Sequence, residues 1–107
     1  MTPLTYEILL ALADGERHGY GIIKELESRF GAGAAPSTGA LYLALRRMEQ
    51  DGLIAEAAVE ASGDDARRRY YGLTSAGRAA AIAESARLAA LLQTARAKHL
   101  LPGRVDA

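Results

Sequence analysis

The stretch PSTGALYLALRRMEQDGL, residues 36–53, has the pattern of one amphipathic helix with an end signal on each side. Leu41, Leu45 and Met48 recur at i, i+4 and i+7, so they share one face of a helix. Ser37 is a favourable N-cap ahead of that face, and an Asp-Gly pair stands where the helix should stop. The opposite face carries a tyrosine and two arginines. The stretch therefore predicts a helix that packs with one face and leaves a polar face available.

Two amphipathic helices precede this stretch and one long helix ends the chain. Thr2 can cap a first helix that starts at Pro3 and ends near another Asp-Gly pair. After the turn DGERHG, residues 20–30 place a second apolar stripe on one helical face with charged side chains opposite. Thr74 can cap the last helix, over residues 75–100.

Two extended segments lie between the third and the last predicted helix. Residues 53–60 alternate weakly, ASGDDA is a turn signal, and residues 67–73 resume an extended pattern, which together predict a β-hairpin. Three short helices followed by a hairpin form the winged helix-turn-helix arrangement. The predicted fold class is mainly α with a small β-hairpin: a winged helix-turn-helix domain over residues 1–74, a C-terminal dimerisation helix over 75–101 and a flexible tail over 102–107.

The composition limits the class of protein. The 107 residues are 50% hydrophobic and 24% charged, as in one soluble globular domain with a modest core. The absence of cysteine excludes disulfides, thiolate metal sites and a cysteine nucleophile. No apolar run approaches the ~20 residues of a membrane span, and no secretion signal is seen, so we expect a cytoplasmic protein without membrane contact. The formal net charge of +0 argues against bulk attraction to nucleic acid.

No pattern in the sequence indicates an enzyme. The string GAGAAP from Gly31 lacks the preceding strand of a dinucleotide-binding motif and has proline in the sixth position. His18 and His99 have no metal-binding spacing, and His18 is most simply a turn or capping residue. The serines have no nucleophile-elbow context, and Asp64 and Asp65 fit a solvated turn. We expect no catalytic residue, no metal and no cofactor.

The exposed face of the third helix has the residue types that read DNA. In a helix-turn-helix its N-terminal half enters the major groove, where small residues allow close approach and the helix N-terminus favours a phosphate. Arginine can also hold guanine through two hydrogen bonds. The candidate residues are Ser37, Thr38, Gly39, Tyr42, Arg46 and Arg47. Solvated charge is the alternative for the arginines, and Tyr42 fits a core edge as well as a DNA contact.

The arginine triplet Arg67, Arg68 and Arg69 opens the second predicted strand, at the tip of the wing. Arginines there would reach a flanking minor groove or phosphates, although strand alternation also permits a structural role. Arginine outnumbers lysine 11 to 2, for which a coding bias is the simpler account. A second hypothesis is a winged-helix module for protein contacts, because residues 49–65 carry six acidic side chains and no basic one and would suit a basic partner.

The last helix has more apolar surface than one short chain can cover. Its alanines allow close helix approach, and its leucines form a stripe too apolar to remain exposed. We therefore predict a homodimer made mainly by this helix with help from the first helix. The candidate interface residues are Leu4, Ile8, Ile82, Ala86, Leu88, Ala89, Leu91, Leu92 and Ala95.

Three blocks of the sequence resemble those of the PadR-like transcriptional regulators. HGYGIIKEL from His18, GALYLALRRMEQDGLI from Gly39 and RRRYYGLTSAGR from Arg67 agree in order and spacing, up to about Arg78. The last helix resembles that of the short subfamily, in which a single C-terminal helix makes the homodimer. The resemblance implies a repressor that binds double-stranded operator DNA as a dimer and releases it when a small molecule binds.

The resemblance also assigns individual residues. It places Thr38, Gly39, Tyr42 and Arg46 in the recognition helix and residues 67–69 in the wing. Leu43 stands where family members often have proline. The chain has no tryptophan, so a ligand site built from stacked indoles at the dimer interface is not available.

Overall fold

The computed structural model describes residues 1–30, 35–58, 63 and 68–102. Its elements, in chain order, are α1 (Pro3–Leu12), β1 (Arg17–His18), α2 (Gly19–Phe30), α3 (Thr38–Gln50), β2 (Ile54–Ala57), β3 (Tyr70–Leu73) and α4 (Ser75–Ala97). The predicted fold class is confirmed: the chain is mainly helical, with a small antiparallel sheet and a long C-terminal helix. Within the described ranges, no helix has the length and hydropathy to cross a membrane.

Three hydroxyl side chains start three of the helices, at the positions that the sequence predicts. Thr2 caps α1, Ser37 caps α3 and Thr74 caps α4, and each hydroxyl accepts a hydrogen bond from the backbone N–H three residues ahead. Each cap satisfies one of the N–H groups that the first turn of a helix leaves unpaired. The starts of these helices therefore follow from local sequence.

The sheet has a strand that the sequence analysis did not predict. β2 and β3 form the expected antiparallel hairpin, and β1 pairs with the other side of β3, so the strand order is β1-β3-β2. Arg17 lies opposite Tyr71, and His18 lies opposite Tyr70. The expectation of a plain turn here was wrong because a two-residue strand is too short to show alternation. Its consequence for the site is that His18 lies beside the wing.

The core lies between the first three helices and the sheet. Its buried hydrophobic residues are Ile8, Leu9, Ala11, Leu12, Ile22, Leu26, Leu41, Leu45, Met48, Ile54 and Tyr71. The apolar stripe of α3 is buried as its spacing predicts. Ile8 is 0% exposed, so its assignment to a dimer interface was wrong. An apolar stripe has the same pattern whether its own chain or a partner covers it.

Thr74 joins the end of the sheet and the start of α4 by hydrogen bonds to two backbone carbonyls. The Thr74 hydroxyl donates to the Gly52 carbonyl at 2.5 Å, and the Thr74 N–H donates to the Leu53 carbonyl at 3.2 Å. Further along α4, the hydroxyls of Tyr6 and Ser85 are 2.7 Å apart and join α1 to α4. These contacts fix the direction in which α4 leaves the winged domain.

Candidate DNA-binding surface

One side of α3 and its cap is exposed along its length. The residues on this surface are Ser37, Thr38, Gly39, Tyr42, Leu43, Arg46 and Arg47. A side chain added at Gly39 would meet nothing within 4 Å, so the backbone here borders open space. Every residue that the sequence analysis assigned to DNA reading on this helix therefore lies on one accessible face.

Arg46 and Arg47 supply the positive charge of this face. Among the residues that the structure describes, no carboxylate pairs with either guanidinium and no side chain or carbonyl accepts from it. Each arginine carries five N–H donors in a fixed fork. These donors are available for phosphate oxygens or for the acceptors of a guanine edge.

Arg69, by contrast, is held by two carboxylates. Its Nη2 lies 3.2 Å from Glu49 Oε2 and 3.2 Å from Glu56 Oε2, and its guanidinium lies 5.4 Å from the centre of the Tyr71 ring. The hydrogen bond to Glu56 is the largest cause that raises the pKa of Arg69 above its ordinary value. One arginine with two glutamates has a net negative charge, which does not attract phosphate. The geometry favours the structural alternative for this member of the triplet.

An open cleft of about 430 Å³ lies between α3 and the start of β3. Its lining residues are His18, Gly19, Tyr20, Tyr42, Arg68, Arg69 and Tyr71. Tyr42 is 45% exposed, and its hydroxyl end packs so closely on Gly19 that a side chain there would overlap it. Tyr42 therefore lies at the surface, where the exposed face of α3 borders the cleft. Arg67, the first arginine of the triplet, lies outside the described residues.

Four of the lining residues were missing from the candidate set derived from the sequence: His18, Gly19, Tyr20 and Tyr71. His18 was interpreted only as a turn or capping residue, and Tyr20 was not singled out. Both lie in the HGY block, far from the wing in sequence. Only the pairing of β1 with β3 brings them beside it, and a two-residue strand leaves no periodic signal that predicts this.

The sequence matches the model of the transcriptional regulator PadR-like family over residues 8–83. The chain belongs to this family. The resemblance seen in the three sequence blocks is thereby confirmed, and the protein is a DNA-binding transcriptional regulator rather than an enzyme.

Solved structures show the same relationship. The chain is similar to a PadR family transcription regulator from Clostridium difficile, with 25% identity, a TM-score of 0.78, and coverage of 89% of this chain and 96% of that one. It is also similar to Bacillus subtilis PadR in complex with operator DNA, with 26% identity, a TM-score of 0.64, and coverage of 76% and 44%. A protein from Thermoplasma acidophilum, 24% identical with a TM-score of 0.69, shares the fold over 96% of this chain and 93% of its own. No curated protein matches significantly.

The candidate dimer residues of this PadR-like chain fall into groups. Leu4, Leu88 and Ala95 are half-buried, and Ala86 and Ala89 are exposed. Ile82, Leu91 and Leu92 are large apolar side chains that are 65%, 54% and 53% exposed. The later part of α4 therefore presents apolar side chains that its own described residues do not cover.

Proposed function

We propose that this PadR-like chain is a cytoplasmic repressor that binds a two-fold operator as a homodimer and reads bases with α3. The observation that carries this proposal is the accessible face of α3, on which Arg46 and Arg47 have no partner among the described residues. An arginine already held by carboxylates must give up those contacts to bind DNA. These two need not.

In this proposal α3 lies in the major groove and the wing reaches the neighbouring minor groove. The exposed backbone at Gly39 permits close approach, and Arg46 is positioned on the same face to donate two hydrogen bonds to one guanine. Arg47 and Thr38 flank that contact. Release by a small molecule follows from the family resemblance, and the chain's lack of tryptophan means that stacked indoles do not form its site.

The homodimer rests on the exposed apolar residues of α4. A monomer would leave Ile82, Leu91 and Leu92 in water, whereas a second copy related by a two-fold axis would cover the same residues on both chains. The two copies of α3 would then face two similar half-sites, whose centres lie about one DNA turn or a multiple apart.

We expect Arg46→Ala to weaken binding to the preferred operator by roughly 1 to 3 kcal/mol and to affect random duplex much less, because a two-bond contact to guanine exists only at the matched site. The operator is obtained by sequencing DNA fragments that the purified protein selects, and affinities come from titration of labelled duplexes. Arg69→Ala is the matched control: its guanidinium is held by Glu49 and Glu56, so its loss should not discriminate between the two DNAs.

The salt dependence of the parent's binding separates DNA reading from the alternative of a protein-contact module. Phosphate neutralisation makes log affinity fall steeply with log salt. If the parent selects no DNA sequence, a basic protein partner for the acidic segment 49–65 becomes the better hypothesis. If the parent selects an operator but Arg46→Ala binds operator and random DNA as the parent does, the assignment of base reading to Arg46 is wrong.

Gly39→Ala should lower the affinity for DNA without lowering the stability of the fold. The added methyl group meets nothing within 4 Å, and alanine is the better helix former, so the stability should be unchanged or raised by up to ~1 kcal/mol. Affinity for DNA should fall, because the methyl group would hold the helix away from the groove. Thermal unfolding and DNA titration on the same sample test both. Unchanged affinity would show that the backbone at this position does not approach DNA.

A further inference from the structure

The cleft defined by His18, Tyr20, Tyr42 and Arg68 lies between α3 and the wing, which occupy adjacent DNA grooves in the proposed function. Tyr42 belongs to α3, and Arg68 lies two residues before β3, at the wing. A major groove and the minor groove next to it are separated by one sugar–phosphate strand. With α3 in one groove and the wing in the other, that strand must pass over the cleft.

The capping hydrogen bond of His18 determines which nitrogen of the neutral ring carries the proton. α2 begins at Gly19, and Nδ1 of His18 accepts the backbone N–H of Gly21 at 3.0 Å, which caps the helix. An accepting Nδ1 has no proton, so the neutral ring carries its proton on Nε2. Within the described part of the chain, no carbonyl or carboxylate oxygen accepts from that Nε2–H. The capping contact thus leaves a donor at the cleft.

Arg68 brings a positive charge to the same place. Its Nη1 lies 3.1 Å from Nε2 and 3.5 Å from Nδ1 of His18, and its guanidinium lies 5.5 Å from the centre of the Tyr20 ring. A nitrogen this close to both ring nitrogens lies over the imidazole face, not in its plane, and a guanidinium nitrogen cannot accept a hydrogen bond, so it is not the partner of Nε2–H. Arginine carries five N–H donors and a permanent positive charge, both of which suit a phosphate.

We propose that His18 and Arg68 together bind one phosphate of the DNA backbone in each half-site. The Nε2–H of His18 donates a hydrogen bond to a phosphate oxygen, and the guanidinium of Arg68 supplies the charge. The inference rests on the proposed function, since it requires α3 and the wing to occupy adjacent grooves. It assigns a DNA contact to His18, a residue of the HGYGIIKEL block that lies outside both α3 and the wing.

His18→Asn separates this contact from the helix cap. Asparagine is a good N-cap whose side-chain oxygen can accept the Gly21 N–H, but it lacks a donor at the position of Nε2. We expect the thermal unfolding midpoint to stay at the parental value, while affinity falls about tenfold per half-site on both operator and random DNA. The loss is equal because a phosphate contact carries no sequence information. Arg68→Ala should also flatten the salt dependence by ~0.9 per phosphate released.

A scan with single methylphosphonate linkages locates the phosphate. Each linkage removes the charge of one phosphate from the selected operator. We expect one linkage per half-site, on the strand between the two grooves, to weaken the parent about tenfold and to have little further effect on His18→Asn. His18→Asp, which keeps a capping oxygen but adds negative charge, should bind more weakly than His18→Asn at equal stability.

A failure of this inference and a failure of the proposed function give different experimental results. If the parent selects an operator but His18→Asn and His18→Asp, folded as the parent is, bind it with parental affinity, this inference is overturned and base reading stands. The inference is likewise overturned if every methylphosphonate linkage lowers the affinity of the parent and of His18→Asn equally. A parent that selects no DNA overturns the proposed function and this inference together.

Discussion

Gly77→Ala is expected to lower the free energy of unfolding by about 3 kcal/mol, more than any substitution on the exposed face of α3. Gly77 is buried in the first turn of α4, and a side chain there would overlap the carbonyl group of Leu53. That carbonyl is backbone and accepts the N–H of Thr74, so it cannot move aside without loss of the junction. Thermal or urea unfolding measures the effect, which should lower the midpoint by about 12 °C or more.

Gly19 and Gly39 provide the controls for this prediction. A side chain at Gly19 would meet the hydroxyl end of Tyr42, which can rotate away, and one at Gly39 would meet nothing. Alanine should therefore cost less at Gly19 than at Gly77 and nothing at Gly39. If Gly77→Ala unfolds at the parental midpoint, the close approach of α4 to the Leu53 carbonyl is wrong.

The features that the sequence predicted correctly are those with a local physical cause. Thr2, Ser37 and Thr74 cap helices because a short side-chain oxygen satisfies an N–H in the next turn, an interaction that needs only neighbouring residues. The stripe of Leu41, Leu45 and Met48 was likewise visible as a spacing. The exposed face of α3 follows directly, since it is the remainder of the same helix.

The features that were missed depend on contacts between distant segments. β1 exists only as the partner of β3, and Arg69 is held by Glu49 and Glu56, which lie 20 and 13 residues away. Neither relation has a signal in a local pattern. Ile8 shows the reverse case, because its stripe was correctly identified and its covering surface was not. The amphipathic pattern predicts that a face is buried, but it does not predict whether the same chain or a partner covers that face.

The junction at Thr74 connects stability to the proposed function. It fixes how α4 leaves the winged domain, and in a homodimer built on α4 that direction sets the distance between the two copies of α3. The operator spacing would then be determined partly by backbone contacts far from the DNA. Substitutions at this junction that keep the fold should change the preferred half-site spacing before they change the bases that are read.

Leu92→Glu is expected to reduce affinity for the operator by about 10²- to 10⁴-fold without unfolding the chain. Leu92 is 53% exposed in the single chain, so a charged side chain there can remain in water. In a homodimer the same position would bury two opposed carboxylates, and the dimer should dissociate. A monomer loses the effective concentration that the first bound half-site gives to the second, which accounts for the size of the effect. Light scattering at micromolar concentration measures the mass, against 11.3 kDa for one chain.

Thr94→Glu is the matched control, because it adds the same charge two residues further along α4, on a nearly opposite face of the helix, where the residue is exposed. It should remain a dimer and bind the operator as the parent does, which removes net charge as the explanation. A parent that scatters as an 11.3 kDa particle would contradict the homodimer itself. A Leu92→Glu protein that stays dimeric would instead move the interface to another face of α4. Because a monomer still carries one complete α3, its residual binding to a single half-site should keep the dependence on Arg46, so assembly and base reading can be measured separately.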